Sequence, residues 1–287
     1  QEVFDRLETK NVVSWNALIA GYSQYELGDK ALNCFEKMKL CDSNPDELTF
    51  LSILKACGSI GALVKGQEIH AEVVKNGLLE KDIAIGNTLI SMYVRCGALE
   101  KAQEVFDSLP IWNVTSLNIL LAGYSQNGQG EEALNKFESS QYKEISPNVV
   151  TFVCILKACG SIGETTKAQE LHIRIIKYGV LEHNDMIGSV LVGMYAKCSL
   201  FAEAEQVFGN LQHRDVISWT ALIAGYAEHS HNEEALSCFL NMQQQGISPD
   251  PVTFVCILKV CGRLQAAEKG QEIHADIIRK GWLEMHT

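Results

Sequence analysis

Basic charge is scarce in this sequence. Its 287 residues hold 24 Lys and Arg against 35 Asp and Glu, a formal net charge of −11. Proteins that coat DNA or cling to anionic membranes draw their affinity from clustered Lys and Arg, so this balance argues against both. Proline is scarce too, at five, and the 22 glycines form no Pro/Gly-rich linker. A long apolar run is also missing. The uncharged stretch from Ile111 to Gly130 is rich in Asn, Ser, Gln and Gly, whereas a membrane-crossing helix needs about 20 mostly apolar residues. No basic, apolar or Arg/Ser-rich leader opens the chain. Its first residues, Gln1-Glu2-Val3-Phe4, read as the middle of a helix, so a piece of a longer protein is expected, with any targeting peptide outside it.

Hydrophobic residues make up 47% of the chain, which fits an ordered protein and excludes a disordered one. Ten cysteines raise the question of a disulfide framework. Their spacing answers it. Cys57, Cys159 and Cys261 lie 102 residues apart, as do Cys96 and Cys198, and Cys154 and Cys256. Cysteines that recur with a repeat read as small buried core residues in a reducing compartment.

The period of 102 governs everything else. Asn16, Asn118 and Thr220 keep it, as do Gly21-Tyr22, Gly123-Tyr124 and Gly225-Tyr226, Pro45, Pro147 and Pro249, and His70, His172 and His274. No gap is needed. Each unit divides into 35, 36 and 31 residues: 12–46, 47–82 and 83–113, then 114–148, 149–184 and 185–215, then 216–250 and 251–287. Residues 1–11 match 103–113 and read as the tail of a preceding 31-residue element.

Each sub-repeat reads as two short helices. Trp15, Leu18, Ile19 and Tyr22 form one amphipathic stripe, Gly28 breaks it, and Ala31, Leu32, Phe35 and Met38 resume it until Asn44-Pro45-Asp46 ends the pair. Helices of about 12 residues bury their apolar faces only against stacked neighbours. The expected fold is therefore an all-α solenoid with a concave and a convex surface.

The alternation of 35, 36 and 31 residues comes with Val-Ser-Trp-Asn-Ala-Leu-Ile-Ala-Gly-Tyr (13–22), Leu-Lys-Ala-Cys-Gly (54–58), Gly-Gln-Glu-Ile-His-Ala (66–71) and Met-Tyr-Val-Arg-Cys-Gly (92–97). Together these closely resemble plant pentatricopeptide repeat proteins of the PLS class, in which P, long L and short S motifs alternate. The resemblance spans essentially the whole chain. It implies a right-handed superhelix of stacked helix-turn-helix repeats that binds single-stranded RNA in mitochondria or chloroplasts, usually to specify sites of C-to-U editing. Editing-factor proteins would dock on the L repeats, and the RNA would run 5′ to 3′ from the N to the C terminus.

In that family each P or S repeat looks at one base with its fifth and last residues, while its second residue packs against base faces. The pairs here are Asn16 with Asp46, Asn87 with Asn113, Asn118 with Asn148, Ser189 with Asp215, and Thr220 with Asp250. The second residues are Val13, Ala84, Thr115, Met186 and Ile217. All ten pair members are Asn, Asp, Ser or Thr, side chains with the donors and acceptors that reading a base edge requires. The same residue types also cap helices, and Met186 and Ile217 also suit a core. In the L repeats the fifth residues are Leu51, Val153 and Val255, which cannot hydrogen-bond a base.

Catalytic, metal and cofactor chemistry is not expected. His70, His172 and His274 stand in three different repeats and read as structural. His231-Asn232-Glu233 matches the His-x-Glu of a zinc deaminase by chance, in a link between helices, and no Cys-x-x-Cys accompanies it. A Gly-rich phosphate loop is also missing. The sequence thus reads as a binding module without enzymatic activity. Two other readings stay open: a protein-interaction scaffold of tetratricopeptide type, favoured by the acidic charge, and an organelle RNA-stability or translation factor with no editing role.

Overall fold

The computed structural model describes residues 2–7, 9–41, 43–139, 146–179 and 184–281. Residue 1, and the last six residues of the sub-repeat at 251–287, lie outside them. Every regular element among the described residues is an α-helix. In chain order they are α1 (Glu2–Asp5), α2 (Val12–Gln24), α3 (Gly28–Leu40), α4 (Glu47–Ile60), α5 (Leu63–Lys75), α6 (Ile83–Arg95), α7 (Leu99–Ser108), α8 (Val114–Gln126) and α9 (Gly130–Glu138). There follow α10 (Val149–Ile162), α11 (Thr165–Lys177), α12 (Asp185–Lys197), α13 (Phe201–Asn210), α14 (Val216–Glu228), α15 (Asn232–Gln244), α16 (Pro251–Leu264) and α17 (Ala267–Arg279).

From α2 onward the helices form pairs, an A helix (even-numbered) followed by a B helix (odd-numbered). Contacts gather into two compact units, residues 1–151 and 152–287. In the first, α2, α4, α6 and α8 stack in succession, each B helix lying against its own A helix, and α3, α5 and α7 also against the next. In the second, α12, α14 and α16 stack likewise. The core lies between the A and B layers and repeats with the sequence. Phe35 meets Phe50 edge-on at 6.3 Å, and the equivalent Phe239 meets Phe254 at 6.2 Å. Phe4 meets Trp15, and Phe208 meets Trp219, both at 4.6 Å. All ten cysteines are free thiols; Cys57, Cys154, Cys159, Cys198 and Cys261 are buried, whereas Cys96 and Cys256 are only half-buried and Cys41 is exposed.

The turn between A and B helices departs from the sequence expectation at Gly28. The break falls at Glu26, which takes a left-handed φ of 58°, and Gly28 opens α3 and is buried. A Cβ on Gly28 would lie 2.9 Å from the Ala56 carbonyl oxygen and 2.5 Å from Ile60. Glycine is needed there for close approach of α3 to α4, not for the turn. His231-Asn232-Glu233 also differs: only His231 lies in the link, as the N-cap, while Asn232 and Glu233 form the first turn of α15. Acidic side chains suit that position because the first N–H groups of a helix are unpaired.

Glycines at one repeat position give opposite expectations. A Cβ on Gly225, in α14, would sit 2.3 Å from the Ala196 Cβ and 3.1 Å from its Cα, whereas nothing lies within 4 Å of a Cβ on Gly21 in α2. Gly225→Ala should push α14 off α12 and lower stability by roughly 1–3 kcal/mol. Gly21→Ala should be neutral or stabilising by up to about 1 kcal/mol, since alanine is the better helix former. Denaturant unfolding of the two variants checks the contrast; equal effects would mean that the close packing at Gly225 is wrong.

Candidate nucleic-acid interface

An A helix of 13 or 14 residues starts with N–H groups that no helical carbonyl can satisfy. The last residue of the preceding repeat supplies the missing acceptor. Asp46 accepts from the Thr49 N–H at 2.9 Å, Asn113 from Ser116 at 3.1 Å, Asn148 from Thr151 at 3.0 Å, Asp215 from Ser218 at 2.9 Å, and Asp250 from Thr253 at 2.7 Å. The capping role that the sequence allowed for these residues is therefore real. In all five it falls on Oδ1, and Oδ2 of an aspartate or Nδ2 of an asparagine keeps its capacity for another partner.

Each fifth residue lies in the first turn or two of its A helix, and most meet the last residue of their own repeat. Asn16 Nδ2 donates to Asp46 Oδ1 at 2.8 Å, and Asn118 Nδ2 to Asn148 Oδ1 at 3.0 Å. Ser189 Oγ donates to the Asp185 carbonyl at 3.0 Å and stands 3.5 Å from Asp215 Oδ1. Thr220 does not touch Asp250; the hydroxyl of Thr253 lies between them, 2.6 Å from one and 2.7 Å from the other. The exception is the repeat at 83–113. Asn87 and Asn113 share no hydrogen bond, the Asn113 Oδ1 being committed to Thr115 and Ser116, and the Asn87 Oδ1 is buried without a partner.

These fifth residues present only an edge to solvent: Asn16, Asn118, Ser189 and Thr220 are all buried, at 8% exposure or less. The second residues behave in the opposite way. Val13, Met186 and Ile217 are 69%, 48% and 55% exposed, Thr115 is exposed and Ala84 half-buried. Core packing is thus not the role of Met186 or Ile217. Exposed aliphatic groups beside buried polar pairs form a pattern that the L repeats share at their second residues, Leu48, Val150 and Val252, which are all more than half exposed. Sequence reasoning passed over these three, although they keep the 102-residue period.

The periodic histidines join neighbouring repeats. His70 Nδ1 lies 2.9 Å from the Tyr93 hydroxyl, and His172 Nδ1 lies 2.8 Å from that of Tyr195. Burial pushes both imidazoles below their ordinary pKa and raises both phenols to about 12, so a neutral ring and a protonated hydroxyl share each bond. The tyrosine half of this contact was not singled out from sequence. His274 is exposed. Among the described residues no cluster of His, Cys, Asp and Glu is arranged to hold a metal, and no helix is long and apolar enough to cross a membrane.

Family sequence models described as the PPR repeat family and the PPR repeat match residues 10–59, 112–161 and 214–263, and residues 87–113 and 150–180, respectively. The chain belongs to the PPR repeat family. A chloroplastic pentatricopeptide repeat-containing protein of Arabidopsis thaliana is 38% identical to it over 95% of this chain and 44% of its own length. A mitochondrial one from the same plant is 35% identical over 96% of this chain and 27% of its own. The chain therefore spans less than half of these curated relatives. Among solved structures, PPR10 in complex with an 18-nt psaJ RNA element is similar with a TM-score of 0.79, at 18% identity, over 95% of this chain and 40% of that one. A second structure, PPR10 from maize, is similar with a TM-score of 0.55, at 16% identity, over 97% of this chain and 45% of that one. The shared fold is an α-solenoid of stacked helix-turn-helix repeats.

The electrostatics of Asp46 give a testable consequence. Burial opposes its charge, but the N–H of Thr49, the amide of Asn16, the Thr49 hydroxyl and the N–H of Leu48 together outweigh burial and hold its pKa below the ordinary value. A folded value below the unfolded one means that this carboxylate stabilises the fold at neutral pH and that the contribution is lost as pH falls through the folded value. In a carboxyl NMR titration Asp46 should have a midpoint below about 3.9, the ordinary Asp value, and Asn16→Ala should raise it. A wild-type midpoint at or above that value would contradict the hydrogen-bonded geometry.

Proposed function

We propose that this chain binds single-stranded RNA in a sequence-specific way, one base per P or S repeat, within an organelle RNA-processing factor that specifies C-to-U editing sites. The observation that carries the proposal is the set of polar residues at the fifth and last positions, within hydrogen-bond reach of each other at 12–46, 114–148 and 185–215 and bridged by Thr253 at 216–250, beside the exposed side chains of Val13, Thr115, Met186 and Ile217. The division into P repeats (12–46, 114–148, 216–250), L repeats (47–82, 149–184, 251–287) and S repeats (83–113, 185–215) is part of this reading. Support comes from the family membership, from the resemblance of fold to a protein crystallised with an RNA element, and from relatives named as chloroplastic or mitochondrial. On this reading the chain itself is not catalytic, and editing chemistry belongs to another domain or partner, including proteins docked on the L repeats.

The hydrogen-bonding groups left at each pair suit particular bases. Asn16 keeps an N–H donor and Asp46 a carboxylate acceptor, a match to the O and imino N–H of uracil. Thr220 with Asp250, and Ser189 with Asp215, suit guanine, and the pairs Asn87/Asn113 and Asn118/Asn148 suit pyrimidines.

Thr220→Asn therefore converts the pair at 216–250 into the type found at 12–46. The preference at that one nucleotide should move from G toward U, by roughly 1–3 kcal/mol, with all other nucleotides unaffected. Helix stability should barely change, because Thr and Asn have similar helix propensity. Binding to two RNAs that differ only at that nucleotide checks this. Equal weakening for both, or no change for either, would make Thr220 a structural residue.

A further inference from the structure

Three buried threonines belong to neither the fifth nor the last position, yet each touches both. Thr49, Thr151 and Thr253 are the third residues of the repeats that follow the P repeats, 102 apart and at most 1% exposed. The Thr49 hydroxyl lies 2.5 Å from Asn16 Oδ1 and 2.9 Å from Asp46 Oδ1, and accepts from the Asp46 N–H at 3.1 Å. The Thr151 hydroxyl lies 2.7 Å from Asn118 Oδ1 and 3.1 Å from Asn148 Oδ1. That of Thr253 lies 2.6 Å from Thr220 Oγ1 and 2.7 Å from Asp250 Oδ1.

Proton counting shows what this contact does. An ionised carboxylate only accepts, so the Thr253 hydroxyl donates to Asp250 and its oxygen must accept from Thr220. The single proton of Thr220 is then committed inward. What remains for a ligand is the Thr220 oxygen and the second carboxylate oxygen of Asp250: two acceptors side by side. At 12–46 the same hydroxyl position meets an amide instead. Thr49 occupies the Asn16 oxygen and Asp46 one Nδ2 hydrogen, which leaves one donor beside one acceptor. At 114–148 the Thr151 N–H and Asn118 both bind Asn148 Oδ1, which leaves the Asn148 amide hydrogens as donors.

We propose that Thr49, Thr151 and Thr253 are specificity-determining positioning residues: by occupying the inner hydrogen-bonding groups of the pair before them, they fix which donors and acceptors meet the base. This rests on the RNA-reading proposal above and adds to it. Two adjacent acceptors at 216–250 complement the N1–H and N2–H of guanine and repel adenine, whose N1 is an acceptor. The repeat at 185–215 reaches the same polarity without a threonine, because Ser189 gives its proton to the Asp185 carbonyl in its own helix. Accordingly the third residue that follows is Ser218, whose hydroxyl bonds the Asp215 carbonyl and not Ser189. The fixing groups of the P repeats thus sit in the L repeats, which carry no reading residue of their own.

The test compares three variants on RNAs with G or A at the nucleotide assigned to 216–250. Thr253→Val keeps the shape but removes the hydroxyl, which frees the Thr220 proton to serve either base. Discrimination for G over A should fall roughly three- to tenfold, the range set by one hydrogen bond. Discrimination at the nucleotide read by 12–46 should be unchanged, and Thr253→Ser should restore the wild-type ratio. Asp250→Asn, a change in the reading pair itself, serves as the reference. If Asp250→Asn alters the preference while Thr253→Val does not, the threonine inference is overturned and the reading proposal stands. If neither alters it, both fail. Equal loss of discrimination at every nucleotide in Thr253→Val, with a lowered melting temperature, would make the threonine structural and also overturn the inference.

Discussion

Five A helices, α4, α8, α10, α14 and α16, depend on one hydrogen bond at their start, from the third backbone N–H of the helix to the side-chain oxygen of the residue just before it. Without an acceptor there, a buried N–H is left unsatisfied at a cost of about 1–3 kcal/mol. The acceptor is Asp46, Asn113, Asn148, Asp215 or Asp250. Because the cap stands at the junction of two repeats, the side chain that starts one helix also lies beside the fifth residue of the helix before it. Structural necessity thus places a short polar side chain beside a second one, again and again, along the A helices. A reading site of this kind needs no separate scaffold.

On the RNA-reading proposal, that economy lets capping and recognition share one side chain. A carboxylate or carboxamide has two terminal atoms, and the cap takes one. Asp46 illustrates the balance. Its Oδ1 serves the Thr49 N–H, the Thr49 hydroxyl and the Asn16 amide, an arrangement that keeps the group charged and its orientation fixed. Preorganisation of this sort lowers the entropy cost of binding. On the proposed reading, a charge of −11 leaves little net attraction to phosphate, and base contacts and stacking would carry more of the affinity than counterion release. The acidic charge that favoured a protein-binding scaffold is compatible with an RNA binder built this way.

The period of 102 residues and the helix pairs could be read from sequence, because repetition turns each weak local pattern into a strong one; the polar pairs came from the family resemblance. Three things could not. Thr49, Thr151 and Thr253 keep the period, but a threonine three residues after Asp or Asn reads as an ordinary capping partner, and only coordinates show its hydroxyl reaching the repeat before. The tyrosines opposite His70 and His172 lie 23 residues away, on a different repeat, with no local signal joining them. The turn at Glu26 was assigned to Gly28, since glycine is the usual marker of a left-handed residue; here the glycine answers to the Ala56 carbonyl instead. Asn87 shows the reverse limit. Its sequence position equals that of Asn16, yet the repeat after it offers Ser116, which stays with Asn113, and the pair does not form.

The central claim is that successive repeats read successive bases. Selection of bound sequences from a fully randomised RNA pool tests it most directly, since no target is assumed. With the RNA running 5′ to 3′ along the chain and the L repeats unread, the account predicts enrichment of U-n-Y-Y-n-G-G-n, where Y is a pyrimidine. A selected pool with no preference for the central pyrimidine pair or for the paired G would contradict it.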